Sequence, residues 1–163
     1  MTREDRQIKN DRMRYTKDKL SANLVMAAIV LDALYFVSIY QTDVGTWYYN
    51  WIIGASVIYN LLFMLIAFLA SEGVKSRKSG YTGLLAGIGL MQFIRITYLP
   101  AKAHEAQVVI QEVAHEVMTD GQYAYVVACL AISGVCCIAA AITSFINNKT
   151  LANYLRCAET ETH

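Results

Sequence analysis

The chain has 163 residues, of which 56% are hydrophobic and 17% charged, with a mean hydropathy of +0.34 and a formal net charge of +1. That composition is too apolar for an ordinary water-soluble domain of this length. Lipid is the expected solvent for most of it.

Residues 1–19 form a basic cytoplasmic arm with seven Lys or Arg against four acids. Lys and Arg next to a span attract anionic lipids, each by about 1 kcal/mol near the surface. That attraction and the setting of topology account for the arm without a nucleic-acid partner. The apolar run that follows, about 20–41, is longer than the core of a secretory signal and ends in Tyr40-Gln41-Thr42-Asp43, which lacks a small-residue cleavage site. It reads as a retained span.

Three further segments, about 51–71, 81–99 and 123–146, have the roughly 20 apolar residues needed to cross some 30 Å of hydrocarbon. The fold expected is an all-α integral membrane protein of four transmembrane helices in one domain, residues 20–146, with a cytoplasmic tail at 147–163. The single proline, Pro100, falls just past the third span, where a helix can stop without a kink.

The connections alternate in charge. The first, Thr42 to Asn50, has no Lys or Arg; the second has Lys75, Arg77 and Lys78 against Glu72; the third, Pro100 to Gln122, has Lys102 against Glu105, Glu112, Glu116 and Asp120. Cytoplasmic flanks retain basic residues, so both termini and the second connection are expected inside. Twelve of the fourteen basic residues then lie on that side. Trp47, Tyr48, Tyr49, Trp51, Tyr98 and Tyr123 mark the outer membrane edge, and Tyr15, Tyr81 and Tyr154 the inner one. The expected location is multi-pass in a cell membrane, plasma or bacterial inner.

In the outer connection between the third and fourth spans, Ala106, Val109, Ile110, Val113 and Val117 recur at spacings of three and four. This pattern favours a short amphipathic helix; the high valine content also allows a strand pair, but the turn signal expected between two strands is missing. The same stretch carries Glu112, His115 and Glu116, with His104 eleven residues before His115. These are the weak metal candidates, but a di-iron bundle needs two Glu-x-x-His motifs and only Glu112 to His115 provides one. No metal or other cofactor is expected. Cys129, Cys136, Cys137 and Cys157 lie in the fourth span or the tail, so no outer disulfide framework arises.

Four polar residues fall inside the spans. At about 1.5 Å per residue from the cytoplasmic edge, Asp32 lies at roughly 18 Å, Asn60 and Gln92 at roughly 16 Å and Arg95 at roughly 21 Å. The first and third spans run in the same direction, so Asp32 and Arg95 are within pairing distance. Charges at mid-membrane must face protein or water. This layer reads either as a pathway or proton relay, or as a structural ion pair that sets helix register.

Small residues form two stripes: Gly83 and Gly87 in the third span, and Ser133, Cys137, Ala140 and Ser144 in the fourth. Such stripes mark where helices touch in lipid, within the bundle or against a partner. No phosphate-cradling loop, nucleophile elbow or zinc helix is present. The function expected is therefore a non-enzymatic accessory or structural subunit of a larger membrane complex, such as a transporter, joined to other subunits or to itself. The alternative is a small homo-oligomeric transporter or channel using the midplane Asp/Arg site.

Overall fold

The computed structural model describes residues 5, 8, 17–42, 51–110 and 113–160. Four long helices dominate it: α1 (Lys19–Tyr40), α2 (Trp51–Lys75), α3 (Ser79–Glu105) and α4 (Asp120–Thr160). Each contains a stretch long and apolar enough to cross a membrane. Large apolar side chains such as Val30, Leu34, Ile58, Leu65, Leu90, Ile132 and Val135 are exposed on the outside of the bundle. In water so continuous an apolar surface drives association, whereas in hydrocarbon it is the ordinary surface.

Helix α1 begins at Asp18, whose carboxylate accepts hydrogen bonds from the Ser21 amide (3.2 Å) and hydroxyl (2.8 Å). An acidic N-cap satisfies amides that a helix start otherwise leaves open. At the other end of α1 the Gln41 amide bonds back to Ser38 and the Thr42 hydroxyl to the Ile39 carbonyl. The buried residues Ser21, Ala22, Val25, Ala28, Asp32, Tyr35 and Ile39 recur every three or four positions, so one stripe of α1 meets protein and the rest meets lipid.

The turn between α2 and α3 needs a left-handed residue, and Arg77 supplies it with φ of 56°. Its amide bonds to the Val74 carbonyl and the Lys78 amide to the Gly73 carbonyl, the paired bonds of a Schellman motif. Gly73 is required for a different reason: a Cβ there would collide with the Tyr81 ring from the first turn of α3.

The helices form a ring in which α1 neighbours α2 and α4, and α3 neighbours α2 and α4. Helix α4 packs intimately on both α1 and α3, while α2 and α3 are the most loosely apposed neighbours. Helices α3 and α4 cross closely at Gly89 and Gly134, where a Cβ on Gly89 would lie 3.2 Å from the Gly134 carbonyl and one on Gly134 would lie 3.1 Å from the Gly89 carbonyl. Two apolar clusters fill the interior. One includes Val25, Phe63, Ala67, Val74, Leu85 and Ala140. The other includes Tyr35, Ile39, Leu99, Val117, Met118 and Leu130.

The structure departs from the sequence reading in the third connection. Helix α3 does not stop at Leu99 but continues through Pro100 to Glu105. Proline removes one bond, to the Ile96 carbonyl, and the packing of buried Leu99, Pro100 and Ala103 holds the last turns together. The segment expected to be an amphipathic helix is an antiparallel hairpin, β1 (Gln107–Ile110) and β2 (Val113–Glu116), pairing Gln107 with Glu116 through Ile110 with Val113. Val108, Val109, Ile110 and Val113 are β-branched, which favours a pleated surface over a helix. A lone hairpin is marginal in stability. Here the Val117 amide extends the ladder to the Ala106 carbonyl, and Val117 and Met118 are buried in the second cluster.

Candidate functional site

Between the two apolar clusters lies a polar layer to which every helix contributes. Asp32 and Tyr35 come from α1, Tyr59 and Asn60 from α2, Gln92 and Arg95 from α3, and Ser133 from α4. Asp32 is fully buried and Arg95 only 8% exposed. Spacings of three on α1 and α3 put each pair of side chains on one helix face.

Arg95 Nη1 donates to Asp32 Oδ1 at 2.9 Å, and Gln92 Nε2 donates to the same oxygen at 3.0 Å. Arg95 also donates to Asn60 Oδ1 through Nη2 and, at 3.5 Å, to Gln92 Oε1 through Nη1. Gln92 reaches Ser133 Oγ at 3.4 Å, and Ser133 donates to the Ala28 carbonyl at 3.1 Å. The guanidinium carbon lies 4.3 Å from the centre of the Tyr35 ring and 4.9 Å from that of Tyr59. Desolvated cation–π contacts are worth about 2 kcal/mol each. The positive charge is thus met by one carboxylate, two amide oxygens and two aromatic faces.

Three buried polar atoms of this layer have no hydrogen-bond partner: Asp32 Oδ2, Asn60 Nδ2 and the Tyr35 hydroxyl. An acceptor, a donor and a group able to do both are therefore grouped around the ion pair. The layer also borders an opening to one side. Between α2 and α3 lies a cavity of about 270 Å³, lined by Ala55, Ser56 and Tyr59 on α2 and by Met91, Ile94, Arg95, Tyr98 and Leu99 on α3. It occupies the place where the bundle is most loosely packed.

The structure thus brings Asp32, Asn60, Gln92 and Arg95 into one bonded set. Sequence reasoning missed Tyr35 and Tyr59 and assigned Ser133 to a stripe for helix packing or a partner interface. A signal existed for Tyr35, which stands three residues after Asp32 and so on the same face. The two small-residue stripes have different fates. Ser133, Cys137, Ala140 and Ser144 are buried against α1 and α3, with Ser144 hydrogen-bonded to Thr82 at 3.0 Å. Gly83 and Gly87 are exposed, and a Cβ on either would meet nothing within 4 Å.

The weak metal candidates do not converge. His104 stacks on Tyr123 with ring centres 4.4 Å apart and faces Asp120 at 3.5 Å, while His115 and Glu116 are exposed on β2 and point to opposite faces of the hairpin. Glu112 lies outside the described residues. Among the described residues no three His, Cys, Asp or Glu side chains are grouped to hold a metal ion.

A second polar cluster ties the opposite end of the bundle. Asp18 accepts from Asn147 Nδ2 at 2.9 Å as well as from Ser21, and the Ser21 and Thr143 hydroxyls are 2.8 Å apart. Burial pushes the Asp18 carboxyl up, but the hydrogen bonds from Asn147 and Ser21 and the charge of Arg77 outweigh it and hold its pKa below the ordinary 3.8.

Four apolar helices around a buried charged layer define a multi-pass membrane protein. No protein-family model, curated protein or solved structure matches the chain.

Proposed function

We propose that this protein is a non-enzymatic accessory or structural subunit of a larger membrane complex, such as a transporter, with both chain ends cytoplasmic in a cell membrane. The observation that carries this reading is the outward face of α3, where Gly80, Gly83 and Gly87 are exposed with open space above them. Each glycine in a helix interior costs about 1 kcal/mol relative to alanine. At Gly89 and Gly134 that cost is offset by a close crossing inside the bundle. At Gly83 and Gly87 nothing among the described residues offsets it, and close approach of another helix in lipid does. The polar layer supports the same reading, because a charge pair compensated within one chain sets helix register.

Purification in mild detergent tests the proposal. A stoichiometric membrane partner should accompany the wild-type chain and be lost from Gly83→Leu and Gly87→Leu variants that still fold. A chain that always runs alone counts against it.

A second reading, a small homo-oligomeric transporter or channel, draws on the unpartnered atoms Asp32 Oδ2 and Asn60 Nδ2 at the layer. Intramembrane carboxylates without a full set of partners are a recurring feature of ion and proton paths. Solute or proton flux through reconstituted protein, abolished in Asp32→Asn, would establish it.

A further inference from the structure

We propose that the cavity between α2 and α3 binds a neutral, membrane-soluble carbonyl compound, with its carbonyl oxygen on Arg95 and its apolar body between the two helices. At about 270 Å³ the cavity is close to the lower end of small-ligand pockets, roughly 300–1,000 Å³, which is room for a single substituted ring or a short chain. Its walls on α2 and α3 are outer faces of the bundle: Ile94 and Tyr98 are exposed, as are the neighbouring Ile58 and Leu90. A ligand therefore enters sideways from the bilayer, and it must be lipid-soluble.

The polar end of the ligand is set by Arg95. A guanidinium has five N–H groups and no acceptor. Three are directed at Asp32, Gln92 and Asn60, which leaves donor capacity on a side chain that lines the cavity. An occupant that meets it must offer acceptor oxygens. A plain hydrocarbon chain leaves that capacity unmet in a medium without water.

The charge of the ligand follows from Asp32. Its carboxylate already compensates Arg95, so an added anion at this depth would be a net buried charge, which the bilayer interior disfavours strongly. A neutral carbonyl accepts the hydrogen bonds without that charge. Tyr59 and Tyr98 are among the lining residues, and aromatic side chains pack well against a flat, conjugated carbonyl. Met91, Ile94 and Tyr98 continue, at spacings of three and four, the stripe of α3 that carries Gly83 and Gly87, but the inference does not rest on the subunit reading, and its test reads binding to the isolated chain, so the two fail separately.

The test uses the full chain in detergent and three probes with ten-carbon chains: decylubiquinone, a neutral conjugated dicarbonyl; decanoate, an anion; and decane, which has no acceptor. A ligand that binds only the folded state raises the melting temperature in a saturable way. Decylubiquinone should raise that of the wild type by about 5 °C at saturation, and the other two probes by less than half as much. Ala55→Phe, which fills the cavity from an exposed position on α2, should lose most of the shift. Met91→Trp on the α3 wall is the second blocking variant and should behave alike. An equal shift with decane would mean that the cavity takes a lipid chain and would overturn the proposal. So would a larger shift with decanoate, undiminished shifts in both variants, or no shift with any probe.

Discussion

The guanidinium of Arg95 lies 2.9 Å from the carboxylate of Asp32, although α3 and α1 stand on the diagonal of the ring and each packs mainly on α2 and α4. The ion pair is thus the tie across the middle of the bundle. Gln92 and Asn60 brace it from the two sides.

Removing either charge should be severe. Asp32→Ala leaves a buried guanidinium uncompensated and Arg95→Ala leaves a buried carboxylate so, at a cost of about 3–5 kcal/mol each. Arg95→Lys should recover little, since an ammonium cannot bond Asp32 and Asn60 at once while lying between the Tyr35 and Tyr59 rings. The double variant Asp32→Asn, Arg95→Gln should be less destabilised than either charge-deleting single change. Unfolding in mixed detergents measures all four.

Glycines of the same helix should respond with opposite sign. Gly89→Ala puts a Cβ 3.1 Å from the Cys137 side chain and 3.2 Å from the Gly134 carbonyl, and a backbone neighbour cannot move aside cheaply. Overpacking of this kind costs about 1–3 kcal/mol. Gly83→Ala meets nothing and should stabilise the isolated chain by up to about 1 kcal/mol through helix propensity. Melting temperatures of the two variants in detergent separate these outcomes.

Acid should weaken the end of the bundle that Asp18 holds. Its folded pKa is lowered, so its contribution is full above the ordinary value of 3.8 and fades as pH falls through the folded value, which lies lower still. Asp18→Ala should cost about 1 kcal/mol at neutral pH by removing the N-cap, together with the bond to Asn147. The stability difference between wild type and variant should narrow below about pH 4. Unfolding midpoints taken between pH 3 and 7, at roughly half-unit steps, test the sign.

The α2–α3 turn depends on the contact of Gly73 with Tyr81. Gly73→Ala should destabilise by about 1–3 kcal/mol, since the ring atoms it meets are those nearest the Tyr81 backbone. Combining it with Tyr81→Ala should cost less than the two single changes added together. A double-mutant cycle on melting midpoints gives that coupling.

The four helices, and the common depth of Asp32, Asn60, Gln92 and Arg95, were legible from the residues alone. Partition into hydrocarbon is a sum over a local stretch of about 20 residues. Depth along a helix follows from a constant rise. Both are properties of a segment by itself. The hairpin was not legible, because Val109, Ile110, Val113 and Val117 fit a helical spacing and a β-branched strand equally well, and no Asn-Gly turn stands between the strands. The burial of Val117 and Met118 against three helices decides between them.

Rotation of each helix about its axis was likewise left to the tertiary structure. These helices are apolar on nearly every side, so periodicity does not separate a face against protein from a face against lipid. Only the packed bundle puts Gly89 at a crossing and Gly83 outside it, turns Tyr35 and Tyr59 onto Arg95, and opens a cavity where α2 and α3 part. The sequence by itself determined which stretches are long and apolar enough to cross a membrane and how far along each its charges lie; the contacts among helices decided which side chains those charges meet.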